Sequence, residues 1–263
     1  MTARRFRNRA ANGGAGTTEI VMRKRLATGL WVSGCVAALA LAVPAIANAQ
    51  VTRVEPRQSI GFNVGYFALR GLDSRVDGDV LFADLEPLLF EVNDFNNVTF
   101  GGEWLIGIGD YLEAGAGVGY YQRTVPSIYR HVTHSDDTEI AQDLKLRVVP
   151  LTATVRFLPL GRGAVQPYVG AGIGLFNWYY SEVGEFVDFR DDSIFTARFR
   201  ANGNAVGPVV VGGIRAPIAD VWMIGGELRY QNAKGTIDNV DDFLGDRIDL
   251  GGWTTSFTVH LRF

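Results

Sequence analysis

One cysteine among 263 residues leaves no material for a disulfide framework or for a zinc site of several thiolates. Histidine is nearly as scarce, with three copies, so any catalytic triad has few imidazoles to draw on. Charged residues make up 20% and aromatic residues 11%, a balance too apolar for a disordered chain. The formal charge of −3 and the absence of a basic patch interleaved with aromatics argue against nucleic-acid binding. Beyond the N-terminal fifth there is no run of 18 apolar residues, so that part of the chain does not cross a bilayer as a helix.

What is present begins with an export signal. Arg23-Lys24-Arg25 precedes a largely apolar stretch from Leu26 to Ala47, which closes on Ala47-Asn48-Ala49. That order of charge, apolar run and small residues predicts a secretory signal peptide over 22–49, cleaved after Ala49. Residues 1–21 are read as a possible over-called extension, with Met22 the alternative start to Met1. Val32-Ser33-Gly34-Cys35 resembles a lipobox, but the apolar run follows Cys35 instead of preceding it, so lipidation is not expected. Export leaves residues 50–263, without cysteine and with a formal charge of −9, because residues 1–49 carry seven Lys or Arg and one Glu.

In that mature part the dominant pattern is strict alternation, the period of a β-strand. At the C-terminus Trp253, Thr255, Phe257, Val259, Leu261 and Phe263 share one face, while Gly252, Thr254, Ser256, Thr258, His260 and Arg262 share the other. Seven further segments alternate in the same way, over 60–68, 98–108, 112–121, 151–157, 168–175, 209–215 and 222–230. The connections alternate as well. Gly109-Asp110, Pro159–Ala164 and Pro217–Asp220 are tight turns, whereas 70–97, 123–143, 178–204 and 231–250 are long. A soluble sandwich would carry charge on its polar face and has no reason to sort its loops by length. A membrane barrel needs both features, since lipid forces the sheet to close and bacterial barrels keep short periplasmic turns and long outer loops. The expected architecture is all-β, an eight-stranded antiparallel up-and-down transmembrane β-barrel over 50–263. Its aromatic girdles would be filled by Tyr66, Trp104, Tyr120, Trp178, Tyr179, Trp222, Tyr230, Trp253 and Phe263.

Pro167-Tyr168-Val169-Gly170-Ala171-Gly172-Ile173-Gly174, Gly226-Glu227-Leu228-Arg229-Tyr230 and the last alternating strand ending in Phe263 resemble the small outer-membrane β-barrel family, similar to the OmpA transmembrane domain. The resemblance implies outer-membrane localisation, contact with outer-membrane lipid and lipopolysaccharide, and a monomer. It also implies that Phe263 is the signal read by the outer-membrane assembly machinery.

Eight strands enclose an interior that side chains just fill. On the inward face stand Glu103, Glu113, Arg156, Arg215, Glu227, Arg229, His260 and Arg262, charges too costly to bury unless they pair. Adjacent positions near the short-turn end suggest a direct Glu113–Arg156 pair, and Glu103 is a candidate partner for Arg229. Two readings follow, a lumen plugged by an ion-pair network or a narrow passive pore for ions and small solutes.

The outer loops are acidic: the first holds Asp73, Asp77, Asp79, Asp84, Glu86, Glu91 and Asp94, the last Asp238, Asp241, Asp242, Asp246 and Asp249. No spacing matches the 12-residue order of an EF-hand loop, so these carboxylates are expected to be solvated, with no metal and no cofactor. His134-Ser135-Asp136-Asp137 has the residue types of a triad, yet contiguous residues are poorly placed to form one. No enzymatic activity is expected. The function favoured by the sequence is a membrane scaffold displaying acidic loops, in adhesion or surface interaction.

Overall fold

The computed structural model describes residues 58–75, 77–189, 191–238 and 242–263. The expected signal peptide, Cys35 and both candidate start residues lie outside them. Eight strands carry the architecture: β1 (Gln58–Leu69), β2 (Asn97–Ile108), β3 (Leu112–Thr133), β4 (Glu139–Phe157), β5 (Gln166–Asp188), β6 (Ser193–Pro217), β7 (Trp222–Gln231) and β8 (Gly252–Arg262). Each pairs antiparallel with the next in the chain, and β1 pairs with β8, for example Phe62 opposite Val259. The ring is therefore closed, an eight-stranded up-and-down barrel. Closure leaves no open sheet edge in the lipid, where unpaired backbone groups could not be satisfied. No described helix is long and apolar enough to cross a membrane; the crossing is made by strands.

The alternation read from the sequence sets which side chains face out. Phe62, Val64, Phe100, Val118, Val155, Ile173, Val210 and Phe257 are all exposed on the outer surface of the barrel. Gly61, Gly65, Thr152, Thr154, Thr258 and His260, one residue away, are buried. Short turns 109–111, 158–165 and 218–221 join the strands at one end. Gly109 (φ +70°) and Gly161 (φ +63°) supply the left-handed backbone that those turns need. This is the periplasmic end, because the longer outer loops lie opposite.

At the outer end the structure departs from the expected loops. The segments 123–143 and 178–204 are mostly strand: β3 and β4 are joined by residues 134–138 alone, and β5 and β6 by 189–192. These four strands run on past the lipid-facing belt as a projecting collar. The physical reason is a change of phase. Along β4, Leu151, Val155 and Phe157 face outward below, while above Val149 the apolar residues Ile140, Leu144, Leu146 and Val148 face inward and are buried. Asp143, Lys145 and Arg147 take the outward positions there. The same switch falls at matched heights in the neighbouring strands, where Val148 is opposite Trp178 and Trp178 opposite Gly203. Trp178 accordingly departs from its expected place in an aromatic girdle. It lies on the inward face, 1% exposed, packed against Gly203 and Gly235.

Only the first and last outer connections are long, and both fold back onto the collar. The first contains a short α-helix at Val80–Ala83 and a two-residue strand, Leu88–Leu89, that pairs with Tyr129 and Ile128 of β3. The last contains a small hairpin in which Lys234–Thr236 pairs with Arg247–Asp249. Val80, Leu81, Phe95, Ile237, Phe243, Ile248 and Leu250 from these connections join Ile140, Leu144, Phe176, Trp178 and Tyr180 of the collar in one buried apolar cluster.

Candidate functional site

The periplasmic half of the lumen is polar because glycine and threonine on the inward face leave room for long charged side chains. Arg156, fully buried, donates from Nη1 to Oε1 of Glu103 (3.1 Å) and from Nη2 to Oε2 of Glu227 (3.0 Å). Arg229 donates to Oε1 of Glu227 at 2.8 Å from Nη2 and lies 3.8 Å from Glu103. The Tyr168 hydroxyl donates to Glu227 at 2.9 Å. His260 completes this upper group, its Nε2 3.6 Å from Glu103 and its ring packed over Gly61. Nearer the periplasm, Arg215 donates from Nη2 to Glu113 at 2.6 Å and from Nε to Gln166 at 3.1 Å. Arg162, from the 158–165 turn, stands 3.2 Å from the same Glu113 oxygen. The Tyr168 ring links the two groups, with the Arg156 guanidinium 4.9 Å and the Arg215 guanidinium 5.5 Å from its centroid. Every carboxylate here meets at least two cations, the condition under which buried charge is tolerable.

Two expectations need correction. Glu113 and Arg156 are cross-strand neighbours, yet their side chains do not pair: Arg156 turns to Glu103 and Glu227, and Glu113 to Arg215 and Arg162. Arginine is long enough to reach over the intervening glycines to strands across the narrow lumen, so register adjacency does not choose the partner. Arg262 stands apart from the ion pairs at the periplasmic rim, where Nη2 donates to the Asp220 carbonyl at 2.9 Å and ties the 218–221 turn. Tyr168, Gln166 and Arg162 join the network beyond the charged residues read from the sequence. The inward parity of Tyr168 and Gln166 was available as a signal; for the turn residue Arg162 no periodic signal exists.

Above this polar layer lies a cavity of about 40 Å3, lined by Asn63, Gln231, Thr254 and Ser256 with Phe67 and Tyr121 over it, room for ordered water among polar walls. The collar cluster then closes the outer mouth. It is anchored by acids that were expected to be solvated. Asp79 is completely buried and accepts from Arg75 Nη1 (2.7 Å), Asp249 N (2.6 Å) and Phe82 N (3.1 Å). Asp249 accepts from Arg70 (3.3 Å) and Gly251 N (2.7 Å), and Asp84 from the Tyr180 hydroxyl (3.0 Å). The Tyr121 hydroxyl donates to the Phe95 carbonyl. Asp73, Asp77, Glu86, Glu91, Asp94, Asp238 and Asp246 do face solvent. Among the described residues no group of three or more His, Cys, Asp or Glu side chains could hold a metal ion.

Of the remaining histidines, His131 is exposed and His134 pairs with Glu185, Nε2 to Oε2 at 3.0 Å. In the same β3–β4 connection Asp136 is held below the ordinary aspartate range by hydrogen bonds from the Thr138 hydroxyl (2.6 Å) and amide (3.2 Å).

The closed ring, lipid-facing belt and filled lumen define a bacterial outer-membrane barrel. Residues 33–263 match the family described as outer membrane protein beta-barrel domain. The chain belongs to that family and is a protein of the outer membrane. No curated protein matches it. Among solved structures it is similar to OprG of Pseudomonas aeruginosa (11% identity, 79% of this chain and 95% of that one, TM-score 0.47). It is also similar to Neisserial surface protein A (12%, 79% and 97%, 0.43). A third is Ail, the attachment invasion locus protein of Yersinia pestis, solved with the heparin analogue sucrose octasulfate (11%, 80% and 100%, 0.42).

Proposed function

We propose that this protein is a sealed structural scaffold of the outer membrane whose ordered collar and acidic loop surfaces act in adhesion or surface interaction. The observation that carries the reading is occlusion at two heights. Arg156, fully buried between Glu103 and Glu227, crosses the periplasmic half of the lumen, and the apolar cluster around Trp178, Phe95 and Phe243 fills the outer mouth. Water or ions moving through would have to break a buried ion-pair set and displace an apolar core. Exposed carboxylates at Asp73, Asp77, Glu86 and Asp246, with Phe82, Phe189 and Leu244 also exposed, form the surface offered to a partner. Phe263, 64% exposed at the periplasmic end and paired through its backbone with Gln58, serves as the assembly signal. The protein works as a monomer.

Conductance of the purified barrel in a planar bilayer tests the sealed state. A flat baseline at both polarities is expected, and steady single-channel steps would establish the narrow pore instead. Cells displaying the barrel should lose surface attachment when residues 242–246 are replaced by a short Gly-Ser link. Unchanged attachment would remove the last connection from the function.

A further inference from the structure

Two positive charges meet in the periplasmic half of the lumen without using all their donors. The guanidinium groups of Arg156 and Arg215 lie 4.9 Å and 5.5 Å from the centroid of one ring, that of Tyr168. Both side chains are buried, yet Arg156 Nε and Arg215 Nη1 make no hydrogen bond among the described residues. Neither does the hydroxyl of Thr258 or either ring nitrogen of His260, and both residues are buried too. Register gathers these groups. Thr258 on β8, Gly225 on β7 and Arg215 on β6 form one cross-strand row, and His260 is the next inward position toward the periplasm. Gly225 places no side chain between Thr258 and Arg215. The acids of this layer are already committed: Arg156, Arg162, Arg215 and Arg229 share Glu103, Glu113 and Glu227, four cations to three carboxylates among the described residues. The one carboxylate oxygen there without a hydrogen bond, Glu113 Oε2, belongs to an acid whose other oxygen is 2.6 Å from Arg215 Nη2 and 3.2 Å from Arg162. A buried N–H left without an acceptor is costly, and guanidinium groups have no acceptor to offer one another. A ligand that is negative and accepts from several donors at once meets both needs. An eight-stranded interior is nearly filled by side chains, so that ligand is small.

We propose that the periplasmic half of the lumen binds one inorganic anion of chloride's size beside Gly225, held by Arg215 Nη1, Arg156 Nε and the Thr258 hydroxyl. Hydrogen bonds between a charged donor and an anion are the stronger class, and the anion also separates two like charges that face one ring. It enters from the periplasm past Arg162, whose side chain is 10% exposed. The apolar collar closes the other side, so the anion is held and not conducted.

The test is reversible urea unfolding of the purified barrel from lipid vesicles, with chloride replacing gluconate at fixed ionic strength. Fixed ionic strength keeps screening constant, and gluconate is too large for the site. A ligand bound by the folded state alone raises the folding constant in proportion to its concentration once the site is filled, so a tenfold rise in free chloride should raise the wild-type constant about tenfold. Bromide soaked into crystals of the barrel should give an anomalous scattering peak beside Gly225. The variant T258D ties a carboxylate to the wall next to the proposed anion. It should fold as well in gluconate as the wild type does in chloride, and its response to chloride should be lost. If T258D does not fold, T258V, which removes only the hydroxyl donor, is expected to need more chloride for the same response. A wild-type folding constant indifferent to chloride overturns the proposal and leaves these donors to water. An undiminished chloride response in either folded variant also overturns it, as does bromide found only at the periplasmic rim, an adventitious ion only.

Discussion

Strand β4 passes through two environments, and the comparison between its halves explains most of the molecule. From Phe157 up to Leu151 its apolar side chains point into lipid, and Thr152, Thr154 and Arg156 point into the lumen. From Val148 up to Ile140 the apolar side chains point inward, and Arg147, Lys145 and Asp143 point outward into water. One continuous backbone ladder serves both halves; only the solvent outside has changed. The lower half cannot use the hydrophobic effect to hold its inside together, because its outside already faces an apolar medium, so its interior is cross-linked by charge. The upper half stands in water and can bury an apolar core in the ordinary way. Two interiors of opposite chemistry thus follow from one change of surroundings.

The sharpest way to break this comparison is to remove the cation at the centre of the lower half. Arg156→Met strands Glu103 and Glu227 as buried carboxylates short of a partner, a change that costs about 3–5 kcal/mol in buried pairs. Reversible urea unfolding from lipid vesicles should register a loss of that order, and adding Glu103→Gln, which leaves Glu227 to its remaining partner Arg229, should recover most of it. If R156M alone unfolds like the wild type, charge pairing is not what holds the lower lumen.

Next in size comes the outer surface, where exchanging apolar and charged side chains should matter below the phase switch and not above it. Ile173→Lys puts a charge against lipid near mid-membrane and is expected to cost about 2–4 kcal/mol. Lys145→Leu, also outward but in the collar, should change stability by no more than about 0.5 kcal/mol, as ordinary surface substitutions do. A stabilisation by Lys145→Leu as large as the cost of Ile173→Lys would mean that the collar is embedded too.

The mouth is anchored by Asp79, so Asp79→Ala tests the upper half alone. It deletes the acceptor for Arg75, Phe82 N and Asp249 N and should cost the connections about 1–3 kcal/mol, the penalty of leaving buried donors unsatisfied. Hydrogen exchange should rise over 77–84 and 246–250 while β1, β2, β7 and β8 stay protected. Loss of protection throughout the barrel would show that the two halves unfold as one.

The same change of phase decided how much could be read in advance. All eight membrane crossings were legible, because lipid outside and glycine or isolated charge inside give a clean two-residue period, as in 112–121 and 253–263. The collar was not. Over 140–148 the alternation is equally regular, but with the apolar face reversed, so a reader tracking the lipid face loses the strand at Val149 and assigns a loop. The same reversal makes Trp178 look like a girdle residue although it is buried on the inward face. Which residues line the lumen follows from parity; who pairs with whom does not, since Glu113 has Arg156 as its neighbour and Arg215 as its partner. The burial of Asp79 and Asp249 is a tertiary event set by Arg70 and Arg75, both distant in sequence from Asp249, and an acidic loop looks the same on paper whether its carboxylates are solvated or enclosed.

The smallest expected effect lies at the tip of the collar, outside both interiors. Asp136 owes its lowered pKa to Thr138, first through the hydroxyl and then through the amide. A carboxylate held down in the folded state contributes above its unfolded pKa, and the contribution is lost as pH falls through the lower folded value. Thr138→Val should therefore move the Asp136 titration upward toward the ordinary aspartate value, measured by carboxyl NMR, and remove the small contribution that the group makes above its unfolded pKa. Because the group is fully exposed and remote from Arg156 and Trp178, the loss of that contribution at neutral pH should be slight, and stability below the folded value should not change. A large loss at neutral pH would mean that the β3–β4 connection communicates with the core beneath it, and the boundary between tip and collar would have to be redrawn.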